Sequence, residues 1–214
     1  MTARDEAVET GGRPPVSNGV SRAGREGRPV GPSGRQRGVP GGRPPVSTVV
    51  LALGSNLGDR LANLQRGVDL LIAGPGLGDV ALSPVYETAP VGGPGQPDYL
   101  NAVLVAVTSL SARAVLDRGL AAEEALHRLR GPRWGPRTLD VDVIAYDDVV
   151  SDDPELTLPH PRAHERAFVL APWHDVDPAA VIPGRGAIAD LLAAVDTGGI
   201  RLRGNAGLHT PGTR

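Results

Sequence analysis

The chain has 214 residues, of which 40% are hydrophobic and 21% charged, and its formal net charge is −2 at pH 7. This length is typical of a single domain with room for a hydrophobic core, while the nearly balanced charge excludes the overall basic character of a nucleic-acid-binding protein. Cysteine is absent, which excludes disulfides and Cys-ligated zinc and favours a cytoplasmic location. No apolar run reaches the roughly 20 residues of a membrane span, so we expect a soluble protein without a membrane partner. We also expect a monomer.

Residues 1–46 have the composition of a disordered extension. The motif Gly-Gly-Arg-Pro-Pro-Val-Ser occurs at residues 11–17 and again at residues 41–47, and mainly Arg, Gly and Pro fill the segment between them. Such a segment buries too little apolar surface to offset the entropy cost of ordering it. We therefore predict a disordered extension over residues 1–46, a catalytic domain over residues 47–197 and a frayed tail over residues 198–214.

The predicted domain begins with alternating strands and helices. An apolar run at residues 48–53 predicts a buried strand, and the spacing of Leu61, Leu64, Val68 and Leu71 predicts a helix with one apolar face. Further strands are predicted over residues 80–87, 99–108 and 139–146, with a helix over residues 111–130 capped by Ser111. The order β-α-β-β-α-β predicts a ferredoxin-like α+β sheet with the helices packed on one face.

Additional C-terminal elements follow this unit. The sequence contains a Pro-bounded segment at residues 156–161, a short apolar run at residues 168–173 and a helical pattern at residues 187–195. The segments between the central elements are rich in Gly and Pro, especially residues 89–98 and 131–138. Their length and composition predict functional loops.

Two aspartates on the last predicted strand are candidate metal ligands. Alternation along a strand puts Asp140 and Asp142 on one face and Val141 and Val143 on the other. Mg²⁺ binds one or two carboxylates together with substrate oxygens and water. Asp-x-Asp alone is a weak motif, and a solvated sheet face is the alternative explanation.

Arginines near these aspartates raise the possibility of a polyphosphate site. Arg133 and Arg137 precede the aspartates, and Arg128 and Arg130 end the preceding helix. A phosphoryl-transfer site requires such positive charge beside a metal, but surface salt bridges explain the pattern equally well. A P-loop is excluded because its motif requires lysine, which this sequence lacks.

Histidines offer a weaker pattern. His160 and His164 are four residues apart and could share a metal on a helix, but no third ligand completes a zinc site. We expect His160 to act as a hydrogen-bond donor to phosphate.

Four sequence blocks in order resemble the 6-hydroxymethyl-7,8-dihydropterin pyrophosphokinase family, over about residues 49–183. The blocks are Leu53–Arg60, then Tyr86–Pro90 with Gln96–Asn101, then Arg133–Asp142, then Leu158–Arg162 with Glu165–Leu170. The resemblance implies transfer of diphosphate from ATP to the hydroxymethyl group of 6-hydroxymethyl-7,8-dihydropterin, giving AMP and the pterin diphosphate in folate biosynthesis. It also implies two Mg²⁺ ions held by Asp140 and Asp142.

The resemblance implies roles for further residues. In the family, two aromatic side chains stack on the pterin and an asparagine binds the edge of its ring. The pterin-binding positions that match are Thr88, Ala89, Pro90, Val91, Gly92, Tyr99, Asn101 and Phe168. The positions that match ATP-binding or catalytic ones are Glu123, Arg128, Arg130, Trp134, Arg137, Val143, Thr157, His160 and Arg166.

The sequence departs from the family pattern before Trp134. His127 replaces an expected glycine, and the loop from there to Trp134 is short. Two other functions stay open at this point. A metal-dependent nucleotidyl- or glycosyltransferase would also use Asp-x-Asp, and a ferredoxin-like RNA-binding domain would use the basic extension, although the strands lack the aromatic residues of such domains.

Overall fold

A computed structural model describes residues 46–90, 95–126 and 137–210. The predictions for residues 1–45 therefore lie outside the described residues. The elements in chain order are β1 (Ser47–Ser55), α1 (Arg60–Ile72), β2 (Leu77–Leu82), β3 (Tyr86–Thr88), β4 (Tyr99–Thr108), α2 (Ala112–Ala125), β5 (Asp140–Tyr146), β6 (Ser151–Asp153), β7 (Leu156–Leu158), a 3-10 helix (Ala163–Glu165), α3 (Ala167–Val176), β8 (Val181–Ile182), β9 (Gly186–Ala187), α4 (Ile188–Ala194) and β10 (Ile200–Leu202).

The main sheet is antiparallel, and its strand order is β10-β3-β4-β1-β5, with β2 also paired to β4. The central strands β1 and β4 are apolar and largely buried, because both faces of the sheet are covered. The remaining strands form two small hairpins, β6 with β7 and β8 with β9. The fold is therefore a mixed α/β one with an antiparallel sheet.

The predicted strand over residues 80–87 is two strands. Pro84, which has no N–H for a sheet ladder, lies between β2 and β3. Leu82 pairs with Leu104, and Tyr86 pairs with Asn101. The chain advances four positions from Leu82 to Tyr86, whereas the paired residues of β4 are only three positions apart. The extra residue sets the register of β3, which brings Thr88 opposite Tyr99 at the start of β4.

Helices cover both faces of the sheet, whereas the sequence predicted one. On one face, α1 and α2 pack on a core that includes Leu51, Leu64 and Val115. On the other, α3 and α4 pack on Val50, Val103 and Ile144. The earlier prediction missed this layer because the run at residues 168–173 is short and apolar throughout, so it shows no amphipathic period.

The predicted helix over residues 111–130 is shorter within the described residues. Its N-cap is confirmed, because Ser111 Oγ accepts a hydrogen bond from the Ala114 N–H at 3.2 Å. The helix ends at Ala125, and residues 127–130 lie outside the described part of the chain. Leu120 has 47% of its surface exposed, and the buried residues of the helix are Val115, Gly119, Ala122 and Glu123.

The C-terminal part does not follow the prediction of a frayed tail. Residues 200–202 form β10, which pairs with β3 at the sheet edge. Farther on, Leu208 is buried in the core beneath α1 and α2, and Gln65 both donates to and accepts from the backbone of His209. Among the described helices, none has the length and apolar content to cross a membrane.

Candidate active site

A cavity of about 580 Å³ opens where the ends of several elements meet. The cavity is lined by the C-terminal end of β1, the N-terminal ends of β4 and β5, strand β10 and the start of α3. Most of the residues predicted to bind substrate line it. These are Thr88, Ala89, Pro90, Tyr99, Asn101, Arg137, Asp140, Asp142, His160, Arg166 and Phe168.

The two aspartates of β5 face this cavity. Val141 and Val143 point into the opposite core, as strand alternation predicts. Each carboxylate has an arginine beside it: Arg137 Nη1 donates to Asp140 Oδ1, and Arg166 Nη1 lies 3.5 Å from Asp142 Oδ2. The aspartate side chains remain 25% and 39% exposed, so they are open to the cavity. The arrangement combines hard oxygen ligands with guanidinium groups, which suits a metal and an anion together.

Glu123 holds the backbone between these aspartates. Its side chain is buried, and Glu123 Oε1 accepts a hydrogen bond of 2.8 Å from the Val141 N–H. The bond crosses from α2 to β5. Because Val141 lies between Asp140 and Asp142, this carboxylate fixes the strand from the side opposite to the cavity.

The other half of the cavity contains a buried amide. Asn101 Nδ2 donates to Thr88 Oγ1 at 2.9 Å, and both residues are buried. A Cβ atom added to Gly54, which pairs with Asn101 on one side and with Asp140 on the other, would lie 3.3 Å from Asn101 Oδ1. Glycine at this position therefore leaves space between the amide and the carboxylate.

Two aromatic residues line the same half. Tyr99 begins β4 and Phe168 lies in the first turn of α3. Burial raises the pKa of the Tyr99 hydroxyl; Arg137 opposes this shift and Asp140 adds to it. The Arg166 guanidinium lies 5.5 Å from the centre of the Phe168 ring, a cation–π distance. Arg166 therefore contacts both the Phe168 ring and the Asp142 carboxylate.

Helix α3 is tied to the sheet on its far side. Tyr86 Oη donates to Asp175 Oδ2 at 2.6 Å, linking β3 to the second half of α3. Burial, followed by this hydrogen bond to Asp175, raises the pKa of Tyr86 to about 12. The tyrosine therefore remains a hydrogen-bond donor at neutral pH and keeps α3 close to β3.

His160 is neutral at physiological pH. Burial lowers its pKa to about 4, and the nearby Arg166 adds to this shift. Its Nδ1 accepts a hydrogen bond from the Arg162 N–H at 3.2 Å. In a neutral imidazole the other nitrogen then carries the hydrogen, so Nε2 is a donor available to the cavity.

Asn56 joins the two loop regions that border the cavity. The residue is buried, and its Nδ2 lies 3.2 Å from Gln96 Oε1 in the first loop region. Its Oδ1 accepts from the Arg137 N–H at 2.7 Å, and its own N–H donates to the Arg137 carbonyl. Gln96 and Arg137 both line the cavity, so Asn56 relates their positions.

Three residues predicted for the nucleotide site do not line the cavity. Glu123 contacts the β5 backbone, Val143 packs in the core, and Thr157 donates to the Asp153 carbonyl in the β6–β7 hairpin. For these three, the role near the nucleotide stays a prediction that rests on the family position. Five more predicted residues, Val91, Gly92, Arg128, Arg130 and Trp134, lie outside the described residues.

Other cavity residues were not predicted to have a role. They are Ala52, Leu53, Gly54, Gln96, Arg162, Glu165, Ala167, Asp196, Gly199 and Ile200. Several belong to the same blocks that carry the resemblance, which is a signal that could have identified them. Asp196, Gly199 and Ile200 have no such signal, because they reach the cavity only through the pairing of β10 with β3.

A family model and several curated relatives are similar to this chain. The family model of 7,8-dihydro-6-hydroxymethylpterin-pyrophosphokinase matches residues 50–178. The chain is 46% identical over 166 residues to a 2-amino-4-hydroxy-6-hydroxymethyldihydropteridine pyrophosphokinase of Mycobacterium tuberculosis, with 71% of this chain and 85% of the relative covered. An enzyme of the same name from Methylorubrum extorquens is 43% identical over 155 residues, covering 72% and 98%.

A solved structure shares the fold. Plasmodium falciparum HPPK-DHPS, crystallised with pteroate, is similar with a TM-score of 0.55 and 13% sequence identity. The similarity covers 70% of this chain and 44% of that one, so this chain spans less than half of the larger protein. At such low identity the similarity concerns the fold alone.

Proposed function

The chain belongs to the 7,8-dihydro-6-hydroxymethylpterin-pyrophosphokinase family, and we propose that it transfers diphosphate from ATP to the hydroxymethyl group of 6-hydroxymethyl-7,8-dihydropterin. The products are AMP and the pterin diphosphate of folate biosynthesis. One observation carries the proposal: a single cavity is lined by a buried amide and two aromatic residues and also by two carboxylates with arginines beside them.

The amide half of the cavity is the proposed pterin subsite. A pterin is flat and has an edge of alternating donors and acceptors, which suits stacking between Tyr99 and Phe168. Asn101 offers both a donor and an acceptor to that edge, and its bond to Thr88 keeps the amide in one orientation. Ala89 and Pro90 complete this side, and Val91 and Gly92 are proposed to continue it.

The carboxylate half is the proposed site for Mg²⁺ and the ATP phosphates. Within the described ranges no group of three or more His, Cys, Asp or Glu side chains is placed to hold a metal. Two carboxylates fit Mg²⁺ nevertheless, because this ion takes its other ligands from phosphate oxygens and water. Asp140 and Asp142 would hold two Mg²⁺ ions, which when bound neutralise charge that develops on the phosphates.

The arginines are proposed to change partners when ATP binds. Arg137 and Arg166 lie beside the aspartates in the described structure. An incoming polyphosphate offers them bidentate acceptors, while the carboxylates turn to the metal. His160 donates from Nε2 to a phosphate oxygen, and because its pKa is about 4 it does so as a neutral group at pH 7.

The transfer itself requires no covalent intermediate with the protein. The hydroxymethyl oxygen attacks the β-phosphorus of ATP and its proton is released to solvent. The bond from that phosphorus to the α-phosphate oxygen breaks, and AMP leaves in line. The side chains position the two substrates and stabilise charge, as in other phosphoryl transfers.

Further residues are assigned by family resemblance. Arg128, Arg130 and Trp134 are proposed to contact ATP from the second loop. Glu123, Val143 and Thr157 keep a proposed place near the nucleotide, and for Glu123 the bond to Val141 supports a positioning role.

The fold type and the molecular state are also proposals. We infer a ferredoxin-like sheet from the order β1, α1, the β2–β3 segment, β4, α2 and β5. We also infer a cytoplasmic location, which the absence of cysteine supports, and a monomer. Sedimentation velocity of the purified chain at micromolar concentration tests the monomer, and a dimer mass would refute it.

Product analysis tests the activity. The protein is incubated with ATP, Mg²⁺ and 6-hydroxymethyl-7,8-dihydropterin, and the nucleotides are separated. We expect AMP, formed in equal amount to the pterin diphosphate and only when the pterin is present. ADP, or turnover that does not depend on the pterin, would refute the proposal and favour another metal-dependent transferase.

A matched pair of variants tests the metal ligands. Asp142→Ala should lower kcat by at least about 100-fold, because loss of transition-state charge stabilisation has effects of this size. Asp148→Ala is the control, since Asp148 is an exposed acid after β5 that does not line the cavity. Equal activity of the two variants would remove the metal role from Asp142.

A further inference from the structure

We infer that the C-terminal segment Asp196–Arg203 forms one wall of the pterin subsite, with Ile200 in contact with the substrate. The inference rests on the proposed function and extends it to a part of the chain beyond residues 50–178, which the family model matches. Asp196, Gly199 and Ile200 line the same cavity as Tyr99, Asn101 and Phe168.

A short turn at residues 196–200 precedes β10 and places Ile200 at the cavity. Asp196 Oδ1 accepts from the Gly198 N–H at 2.8 Å, and the Ile200 N–H donates to the Thr197 carbonyl at 3.1 Å. These bonds reverse the chain directly before β10. The direction of the strand, and with it the position of the Ile200 side chain, is therefore set by the turn.

Pairing with β3 places Ile200 beside the pterin-binding amide. Ile200 is opposite Thr88, and Leu202 is opposite Tyr86. Thr88 Oγ1 is the acceptor for Asn101 Nδ2. Ile200 is thus the strand neighbour of the residue that orients the amide, and it is an apolar residue of the cavity lining next to the polar pair Thr88 and Asn101.

Ion pairs tie this strand to the start of β4. Glu87 is 12% exposed and has Arg60 at 3.0 Å and Arg203 at 3.3 Å. Arg201 lies 3.4 Å from the Asp98 carboxylate, and Arg60 donates to the Asp98 carbonyl at 2.7 Å. Asp98 directly precedes Tyr99. The network therefore connects β10 to the residue proposed to stack on the pterin.

Isolated surface pairs contribute little, but here several charges share one mostly buried carboxylate. Arg201 and Arg203 are consequently positioning residues, which act on the substrate through β10 and Asp98. Ile200 is different, because its side chain fills space at the cavity wall. An apolar wall excludes water from the ring and limits the size of the substituents that the pocket accepts.

Binding measurements on a matched pair of variants test the inference. The dissociation constant of 6-hydroxymethyl-7,8-dihydropterin is measured by calorimetry with Mg²⁺ and a non-hydrolysable ATP analogue present. Ile200→Ala should weaken pterin binding by about tenfold, the effect of lost apolar contact in a pocket. The affinity for the ATP analogue should stay within about twofold, because Ile200 is on the pterin side.

Leu202→Ala is the control. Leu202 belongs to the same strand but is 57% exposed and does not line the cavity, so its variant should bind both ligands like the unmodified protein. Equal effects of Ile200→Ala and Leu202→Ala, or loss of both ligands together, would mean that β10 acts only on stability and would overturn the inference.

A second variant keeps the test decisive if Ile200→Ala folds poorly. Ile200→Trp fills the wall instead of opening it, and we expect it to abolish pterin binding while the ATP analogue still binds. Unchanged pterin affinity in this variant would overturn the inference. If the unmodified protein itself neither binds the pterin nor forms AMP, the proposed function fails; if it does both and the Ile200 variants match it, only this inference fails.

The ion pairs are tested separately. The double variant Arg201→Gln, Arg203→Gln should weaken pterin binding by about threefold to tenfold through the position of Tyr99. Arg185→Gln, a change at an exposed arginine between β8 and β9, removes positive charge elsewhere and should have no effect. A loss of affinity in both would indicate a general charge effect and not positioning.

Discussion

At the scale of single residues, Gly54 lies between the two halves of the cavity and has no side chain to fill the space there. It pairs with Asn101 on one neighbouring strand and with Asp140 on the other. The Asn101 amide and the Asp140 carboxylate can therefore face one space without a side chain between them. The close approach of neighbouring side chains favours a residue with no Cβ at this position.

The Gly54→Ala variant tests this. Its Cβ would lie 3.3 Å from Asn101 Oδ1 and 3.7 Å from Tyr99 Cδ1, so the amide must shift by a few tenths of an ångström. Small misplacements of binding groups have large kinetic effects, and we expect KM for the pterin to rise about tenfold. Steady-state kinetics measure it. The control is Gly78→Ala, where an added Cβ has no neighbour within 4 Å; an unchanged KM in Gly54→Ala would contradict the argument.

His160 shows how burial sets a protonation state. Its pKa is lowered to about 4 by burial and then by Arg166, against about 6.5 for an exposed histidine. Between these values the unfolded chain binds a proton that the folded chain does not. The free energy of unfolding therefore contains a contribution that is complete above about pH 6.5 and is lost as the pH falls towards about 4.

Replacing His160 should flatten this dependence. We expect the free energy of unfolding of His160→Gln to fall less between pH 6.5 and pH 4 than that of the unmodified protein, within the window of the shift. Urea denaturation at several pH values provides the comparison. His209→Gln, which changes an exposed histidine, is the control, and parallel pH curves for His160→Gln and the unmodified protein would disprove the shift.

At the scale of elements, α1 is packed closely against the start of β5. A Cβ added to Gly67 would lie 2.8 Å from Leu139 Cδ1 and 2.9 Å from Leu139 Cδ2, and Leu139 is fully buried. On the same segment, α2 holds Val141 through Glu123. Both helices therefore determine where β5 begins, and β5 carries the two aspartates.

Gly67→Ala should lower the free energy of unfolding by about 1 kcal/mol. Alanine favours a helix over glycine by roughly 1 kcal/mol, but overpacking a core costs roughly 1–3 kcal/mol, so the clash outweighs the gain. Urea denaturation measures the change. In a double-mutant cycle, Leu139→Val should relieve part of the loss, and a stabilised Gly67→Ala variant would show that the helix is not closely packed there.

At the scale of the whole molecule, the C-terminal residues contact both the edge of the main sheet and helix α1. β10 lines the cavity through Ile200. Farther along the chain, Leu208 is buried in the core, and the backbone of His209 forms hydrogen bonds with the side chain of Gln65 in α1. Residues more than 140 positions apart in sequence are thus in contact. The site and the stability of the domain depend on the same segment.

Leu208→Ala should lower the free energy of unfolding by about 2 kcal/mol, the lower end for truncating a core leucine, because 9% of its surface is exposed. Leu202→Ala, at a leucine that is 57% exposed on the same segment, should change it by less than about 0.5 kcal/mol. Chemical denaturation compares the two. Equal losses would mean that residues 203–210 do not pack as described.

Local patterns predicted much of this molecule. The spacing of Leu64, Val68 and Leu71 predicted α1, and alternation predicted that Asp140 and Asp142 share a face; the structure agrees with both. Motif blocks predicted the family, which the relatives confirm. The roles of individual site residues stay predictions, and several of them lie outside the described residues.

The sequence by itself determined the chemistry available to the protein: the family, the paired carboxylates, the arginines and the two aromatic residues. Only the tertiary structure decided that Ile200 borders the cavity, that Gly54 leaves space between Asn101 and Asp140, and that α3 covers a second face of the sheet. The reason is physical. Periodicity reports which side of its own element a residue faces, whereas the neighbour across a strand or a core depends on the register of segments distant in sequence.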